Sequence, residues 1–525
     1  MPREPRAPDS ASSALPLPDW LAHRAATTPA RRALTARGRS WTFAELDAEA
    51  VRAARRLATL GARAGDRVAT LLHNGPGPAV LVHAALRLGV TLVPLNTRLA
   101  HAELAWQLRD AAPRLLVVEG GTAALAARVH LEQPPLSMTS LDADGAAALD
   151  VAAFDALEQA DVSLRLAHDP ATTLTILYTS GTSGHPKGVM LTVGNFWWSA
   201  LGSALNLGTR PDDRWLACLP LFHVGGLSIL LRSAIYGISA VVHEGFDAEA
   251  ANHALDEDGV TIVSLVPVML QRMLDARSDR PFPPSVRCVL LGGGPVPRPL
   301  LERSARLGVP VVQTYGLTET ASQVATLAPD EALRKLGAAG RPLYPNEVRI
   351  VTAGSEAAPG EAGEILVRGP VVMAGYAGQP AATARAIVGG WLHTGDVGHR
   401  DAEGYLYVLD RRDDLIVSGG ENVYPAEVEA VLLAHPWVAE AAVVGVADDT
   451  WGQRVLAVVR LGDGAATVRP DVADILRAHC RSQLAGYKVP DAIRVVTEHL
   501  PRTASGKLRR AALRAAQRAP QTGRR

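Results

Sequence analysis

The sequence predicts an α/β protein in two parts: a large N-terminal domain of doubly wound sheets with a β-rich subdomain, residues 1–410, and a small α+β C-terminal domain, residues 411–525. Three observations carry this prediction. Short apolar runs alternate with helical patterns at residues 66–118 and again at 214–314, the signature of strand–helix units feeding parallel sheets. From Gly340 the pattern shortens to strands and turns. After a charged run, Asp410 to Asp414, a fresh helix-and-strand series begins, about the size a separate domain needs.

In order, residues 20–51 suggest a helix, a hairpin and a second helix starting near Thr42, with Glu45 three residues on in capping-box spacing. Strands at 66–74, 90–95 and 115–118 alternate with helices at 79–88 and 101–110. Residues 120–168 are Ala-rich and give no pattern. Apolar runs at 173–177 and 189–191 flank a Ser/Thr/Gly loop, and 195–207 looks helical. The second series has strands at 214–218, 240–243, 262–266, 286–291 and 311–314, with helices ending at Tyr236 and spanning 248–256 and 268–274. Short strands follow at 347–351, 363–367 and 405–408. The last part shows helices at 425–433 and 472–484 and strands at 441–445, 455–460 and 493–496, then an Arg-rich helix and tail expected to be solvated surface.

Composition narrows the function. With 53 basic and 53 acidic residues there is no electrostatic footprint for nucleic acid or an anionic membrane. The most apolar region, residues 227–242, is short for a membrane span and is broken by Arg232. The first twenty residues carry charges and prolines where a signal peptide needs an apolar core, so they are expected to form a disordered leader on a cytoplasmic protein. Cys218, Cys288 and Cys480 are widely separated, which argues against a disulfide framework or zinc site. A homo-oligomer is compatible with the sequence but not specified by it.

Lysine is scarce: only Lys187, Lys335, Lys488 and Lys507 occur among the basic residues. Arginine serves elsewhere, so the surviving lysines mark candidate sites that require a compact ammonium. Lys187 closes the run Tyr178-Thr179-Ser180-Gly181-Thr182-Ser183-Gly184-His185-Pro186-Lys187. Its glycines free backbone N–H groups to face an anion, its hydroxyls add neutral donors, and the lysine adds charge. This is not a Walker A loop, because no Ser or Thr follows the lysine and an extended run replaces the helix. Gly292-Gly293-Gly294-Pro295 ends a strand of the second series, where ligands approach backbone in open α/β sheets. Tyr315, Thr318 and Glu319 after the next strand could stack a base, meet phosphate and hold magnesium. Asp396, in a Thr-Gly-Asp turn, could accept two ribose hydroxyls.

These motifs together resemble the adenylate-forming superfamily of acyl-CoA synthetases, peptide-synthetase adenylation domains and firefly-type luciferases. The likeness covers about residues 20–513 and runs through YTSGTSGHPKG, LPLFHVGG, LLGGGPVP, QTYGLTETAS, HTGD, DRRDDLIVSGGENVYPAEVE and PRTASGKLRR. The resemblance implies ATP, magnesium and coenzyme A, with a small-molecule carboxylic acid as the partner to be activated. It implies that Thr179, Ser180, Gly181, Thr182, Ser183, Gly184 and Lys187 hold the β- and γ-phosphates. Gly292, Gly293, Gly294, Pro295 and Tyr315 would frame adenine, Thr318 would meet the α-phosphate, and Glu319 would bind magnesium. Asp396 and Arg411 would grip ribose, and His223 would guard the acyl pocket. Lys507 would serve adenylation. A turn of the small domain about Asp413 would then withdraw it and bring Gly419 and Gly420 to a pantetheine tunnel. Ser183 stands where threonine is usual, and Val268 replaces a common threonine after Pro267.

The wording at Trp215 to Gly237, Leu290 to Glu302, Thr314 to Leu343 and Leu409 to Glu429 is more similar to the o-succinylbenzoate-activating branch than to long-chain fatty acyl ligases. Such a substrate keeps a second carboxylate ionised, so its pocket needs polar donors or a cation. Ser228, Arg232, Ser322, Gln323 and Lys335 are candidates, although Lys335 could equally complement a helix C-terminus. A medium-chain or aryl acyl-CoA ligase, a carrier-loading adenylation enzyme and a non-catalytic adenylate binder are the alternatives. The last would be expected to lose Lys507 or Glu319, and both are present.

Overall fold

In the computed structural model the described residues are 15–99, 101–130, 136–151, 153–179, 186–278, 280–294, 296–331, 333–411, 414, 416–418, 421–423, 425–448, 452–462, 471–484, 486–503 and 508–518. Two sheets and the helices between them form the large part. The first sheet has seven strands in the order Gly375–Tyr376, Lys187–Thr192, Thr173–Thr179, Thr91–Pro94, Arg67–Leu71, Leu115–Val118, Ser137–Ser140. Its last five strands are parallel, and Lys187–Thr192 and Gly375–Tyr376 add antiparallel at one edge.

The second sheet has a parallel centre of Arg32–Ala36, Ser239–Val242, Arg214–Ala217, Ile262–Leu265, Cys288–Leu291 and Val311–Tyr315. It continues without a break through antiparallel Ala325–Leu327, Ala338–Pro342, Leu406–Arg411 and Trp391–Arg400 into the β-rich subdomain. The apolar runs are continuous because both faces of the sheets are covered. Trp215 and Ala217 join one core while Leu216 joins another, as the period-two alternation of a strand requires. Helices Phe43–Thr59, Pro76–Leu88 and Val224–Tyr236 contribute to the core shared by the two sheets. The Thr42 capping box is formed, with Thr42 N donating to Glu45 Oε2 at 2.8 Å.

The smaller unit has its own five-stranded sheet, built on the long hairpin Val438–Asp448 and Gly452–Leu461, and its own core around Val443, Ala457 and Leu476.

Three expectations change. Residues 1–14 of the expected leader lie outside the described residues, but Leu17–Pro18 pairs with Ala167–His168, and Asp19 caps the helix Trp20–Thr27. Asp19 is tied down because it also meets Arg87 and His168, each at 3.1 Å. The Ala-rich stretch forms helices Gly120–His130 and Ala143–Leu149 around strand Ser137–Ser140. Alanine on every face gives a helix no polar–apolar contrast to detect. The Arg-rich helix Arg510–Arg518 is not merely solvated: Arg510 pairs with Glu429 at 2.7 Å and Arg514 with Asp414 at 2.8 Å.

Candidate active site

Strands Thr173–Thr179 and Lys187–Thr192 pair antiparallel, with Thr179 opposite Lys187, so the anion loop closes a hairpin. Ser180, Gly181, Thr182, Ser183 and Gly184 lie outside the described residues; Thr179 and Lys187 are half-buried at the loop's two ends. The Lys187 ammonium sits over the Tyr376 ring, 4.9 Å from its centroid. The same tyrosine donates its hydroxyl hydrogen to Glu319 Oε1 at 3.1 Å. Glu319 and Thr318 belong to a single 3₁₀ turn, Thr318–Thr320, and Met373 N donates to the Glu319 carbonyl at 2.9 Å. Tyr376 therefore joins the lysine and the carboxylate that the sequence had singled out, and no motif reading had named it.

Strand Cys288–Leu291 ends at Gly292, where a Cβ would meet Thr314 Cγ2 at 2.9 Å. Gly293 has φ +81°, and a Cβ on Gly294 would meet nothing within 4 Å, so this corner is open to a ligand. Pro295 lies outside the described residues. At the end of the neighbouring strand, Tyr315 donates its hydroxyl hydrogen to Asp396 Oδ2 at 2.7 Å. Asp396 is buried and is the register partner of Arg411, whose side chain lies outside the described residues. The base and ribose candidates thus come together across the second sheet, and Tyr315, Asp396 and the strand of Arg411 form one polar corner.

His223 immediately precedes helix Val224–Tyr236 and its ring lies 4.7 Å from that of Phe222. The preceding turn is held from the other sheet by Asn74, which donates to the Leu219 carbonyl and accepts from Leu221 N, both at 2.9 Å. Sequence reading missed Asn74 because its partners are far along the chain.

Ser228 and Arg232 lie one turn apart on this helix, each 2% exposed. Arg232 Nη2 donates to Ser199 Oγ at 3.0 Å, and Ser199 Oγ donates to the Ala321 carbonyl at 2.7 Å. This chain leads to the turn at Ala321 and Ser322, where φ is +49° and +105°, values that favour glycine. The turn is sustained by Ser322 N donating to the Leu317 carbonyl and Val324 N to the Tyr315 carbonyl. It also overlies Gly316, where a Cβ would collide with the Ser322 carbonyl oxygen. Several buried polar atoms here have no hydrogen-bond partner among the described residues: Ser228 Oγ, Arg232 Nε, and both amide atoms of Gln323. Among the described residues no carboxylate pairs with Arg232, and burial holds its guanidinium pKa below the usual value.

Lys335 is corrected as an acyl-pocket candidate. Its ammonium donates to Asp401 Oδ2 at 2.6 Å and to Glu403 Oε1 at 2.5 Å, and it lies over the Tyr405 ring. Two carboxylates and an aromatic face account for this lysine without a ligand. The carboxylates also raise its pKa above the usual lysine value. Lys507, Asp413, Gly419 and Gly420 lie outside the described residues. Burial pushes the Cys218 and Cys288 thiols up to about 12 and Cys480 to about 11, so none is poised as a nucleophile.

The donor set fits magnesium of one kind. No group of three or more His, Cys, Asp or Glu able to hold a metal occurs among the described residues. A single carboxylate, Glu319, joined through Tyr376 to Lys187, suits an ion that arrives with phosphates and keeps its waters.

The model of the AMP-binding enzyme family matches residues 21–377, and that of the AMP-binding enzyme C-terminal domain matches 427–507. The 2-succinylbenzoate–CoA ligase of Geobacillus kaustophilus (strain HTA426) is 52% identical over 498 residues, covering 95% of this chain and 97% of its own. Among solved structures, o-succinylbenzoate CoA synthetase from Bacillus subtilis in complex with its acyl-adenylate intermediate is 42% identical, with a TM-score of 0.87, over 98% of this chain and 100% of that one. The same Bacillus subtilis enzyme in complex with ATP and magnesium is 43% identical, with a TM-score of 0.85, over 95% and 100%.

Proposed function

The chain belongs to the AMP-binding enzyme family, and from that premise we infer an ATP-dependent, AMP-forming carboxylate:CoA ligase that activates o-succinylbenzoate for menaquinone biosynthesis. ATP, coenzyme A and the acid are its small-molecule partners. No helix among the described residues is long and apolar enough to cross a membrane; the cytoplasm is the location assigned to it on this reading. We assign residues 1–410 to the nucleotide- and acyl-binding domain and 411–525 to a mobile domain.

Adenylation brings a carboxylate oxygen to the α-phosphorus and expels pyrophosphate, so the work is charge neutralisation and alignment. Thr179, Lys187 and the loop between them are assigned to the departing phosphates. Tyr315 and the Gly292 to Gly294 corner are assigned to adenine, Asp396 and Arg411 to ribose, and Thr318 to the α-phosphate. Glu319 would hold magnesium, which when bound neutralises phosphate charge. His223 is assigned to the mouth of the acyl pocket. Lys507 is assigned to the reacting oxygens in this step only. In the second step the CoA thiolate attacks the acyl carbonyl and AMP leaves. Rotation about Asp413 would by then have replaced Lys507 with the Gly419 and Gly420 segment.

One observation carries the choice of acid. Arg232 is a buried cation without a carboxylate partner among the described residues, next to unsatisfied Ser228 and linked through Ser199 to the turn that leads to unsatisfied Gln323. The Trp215 ring, 5.6 Å from the Arg232 guanidinium carbon, and the Ser199 hydroxyl do not neutralise this buried charge, and a wholly aliphatic acid would add no counter-charge. A substrate with a second carboxylate would complete it, supported by Ser228, Ser322 and Gln323.

The test is CoA-dependent AMP release across o-succinylbenzoate, benzoates and fatty acids. The parent should prefer o-succinylbenzoate. Arg232→Leu should lower kcat/KM for it by about a hundredfold, the scale of losing a charged hydrogen bond, and benzoate by much less. A parent preference for an uncharged aliphatic acid would overturn the assignment.

A further inference from the structure

Lys187 and Glu319 carry opposite charges, and both must stay available to a ligand rather than neutralise each other. Neither motif contains anything that would keep them apart. The structure supplies Tyr376 between them: its ring carries the ammonium at 4.9 Å and its hydroxyl donates to the carboxylate at 3.1 Å.

Tyr376 is well held for this. It is 9% exposed and lies in the edge strand Gly375–Tyr376, opposite Val189 of the strand that Lys187 begins. Ala374 N and Ala377 N donate to the carbonyls of Met190 and Gly188, at 3.0 and 2.8 Å. Tyr376 N itself donates to Thr383 Oγ1 at 2.9 Å. Just upstream, Asn195 Nδ2 donates to the carbonyls of Pro370 and Val372, both at 2.8 Å. Met373 N then reaches the Glu319 carbonyl. The backbone on both sides of the tyrosine is fastened to the phosphate strand and to the Glu319 turn at once.

We propose that Tyr376 is a positioning residue for the metal–triphosphate: its hydroxyl orients Glu319 so that the second carboxylate oxygen faces magnesium, and its ring holds Lys187 toward the phosphates. The inference rests on the adenylation reading above. Donation to one carboxylate oxygen fixes the plane of the group and makes metal ligation one-sided. The π-face attracts the ammonium without removing its charge. Without the ring, the lysine and glutamate are free to pair, and each is then withdrawn from the ligand.

Calorimetric titration of ATP into the full-length enzyme, with EDTA and with magnesium, separates the two halves of the proposal. The parent should bind ATP more tightly with magnesium. Tyr376→Phe should leave metal-free ATP affinity within about twofold and reduce the magnesium-dependent tightening at least about tenfold, the lower end of what one hydrogen bond to a charged group contributes. Tyr376→Leu should weaken metal-free binding as well. In activity, the magnesium concentration for half-maximal pyrophosphate release should rise in Tyr376→Phe, while thioester formation from supplied acyl-adenylate stays at the parent rate. An unchanged magnesium increment in Tyr376→Phe, or equal loss in both half-reactions, would overturn the proposal. A parent that binds no ATP would overturn the adenylation reading and this inference with it.

Discussion

Among the four lysines, three have partners that explain them. Lys335 is engaged by Asp401 and Glu403, Lys488 by Glu427 at 2.7 Å, and Lys187 lies on an aromatic face. Lys507 is the one whose role rests on its motif. Replacing it with alanine is expected to slow acyl-adenylate formation about a hundredfold or more, the scale of a lost transition-state contact. Pyrophosphate release would measure this, and thioester formation from supplied adenylate should survive; equal loss in both would remove the assigned role. Scarcity in the sequence identified positions where a compact ammonium is retained, but not the reason. The reason for Lys335 lies 66 and 68 residues further on, in two carboxylates that only the folded chain brings near. The unsatisfied atoms of Ser228 and Gln323 were equally unreadable, because a missing partner is a property of packing.

At the scale of elements, strands buried on both faces were the easiest to recognise, since unbroken apolar runs between turn residues leave few other readings. Gly375–Tyr376 was not legible: two residues carry no period, and its place is fixed by the neighbouring strand rather than by its own composition. Near the small domain, Asp414 follows the proposed pivot directly and is bound by Arg514 at 2.8 Å and Arg510 at 3.4 Å. Both arginines belong to the helix Arg510–Arg518, which begins three residues after Lys507 in the sequence. A rotation at the proposed pivot that moved Asp414 would carry the helix Arg510–Arg518 with it through these two ion pairs. Asp413→Pro, which restricts backbone rotation, should impair thioester formation far more than adenylation. Single-turnover assays of the two half-reactions would decide, and the reverse order would count against the pivot.

For the whole molecule, the layer between the two sheets holds a buried polar cluster that ties the N-terminal segment to helix Pro76–Leu88. Burial pushes the His83 imidazole down to about 4, against the pull of the Asp19 charge. Burial alone would raise the pKa of Asp19, yet the His168 hydrogen bond and Arg87 hold its carboxyl below the usual value. His83 binds its proton more weakly folded than unfolded, so stability falls as pH drops from 6.5 toward 4. Asp19 acts in the same direction. The slope due to His83 should approach about 1.4 kcal/mol per pH unit within that window. Apparent urea midpoints of the parent and of His83→Leu at pH 7.5, 6 and 5 would test it, the variant being less sensitive to acid. A parent whose midpoint is flat from pH 7.5 to 5 would exclude the effect.

The contact between Gly316 and the Ser322 carbonyl has a consequence for evolvability. The segment from Tyr315 to Gln323 begins at the proposed base site and ends at the proposed acyl site, and its two ends are pressed together with no room for a methyl group at Gly316. Mutations there cannot explore new acids without disturbing the nucleotide. On helix Val224–Tyr236, Arg232 is coupled to the same turn through Ser199, whereas the Ser228 hydroxyl has no hydrogen-bond partner among the described residues, so a laboratory search for altered acid preference should start its library at Ser228 and leave the turn untouched.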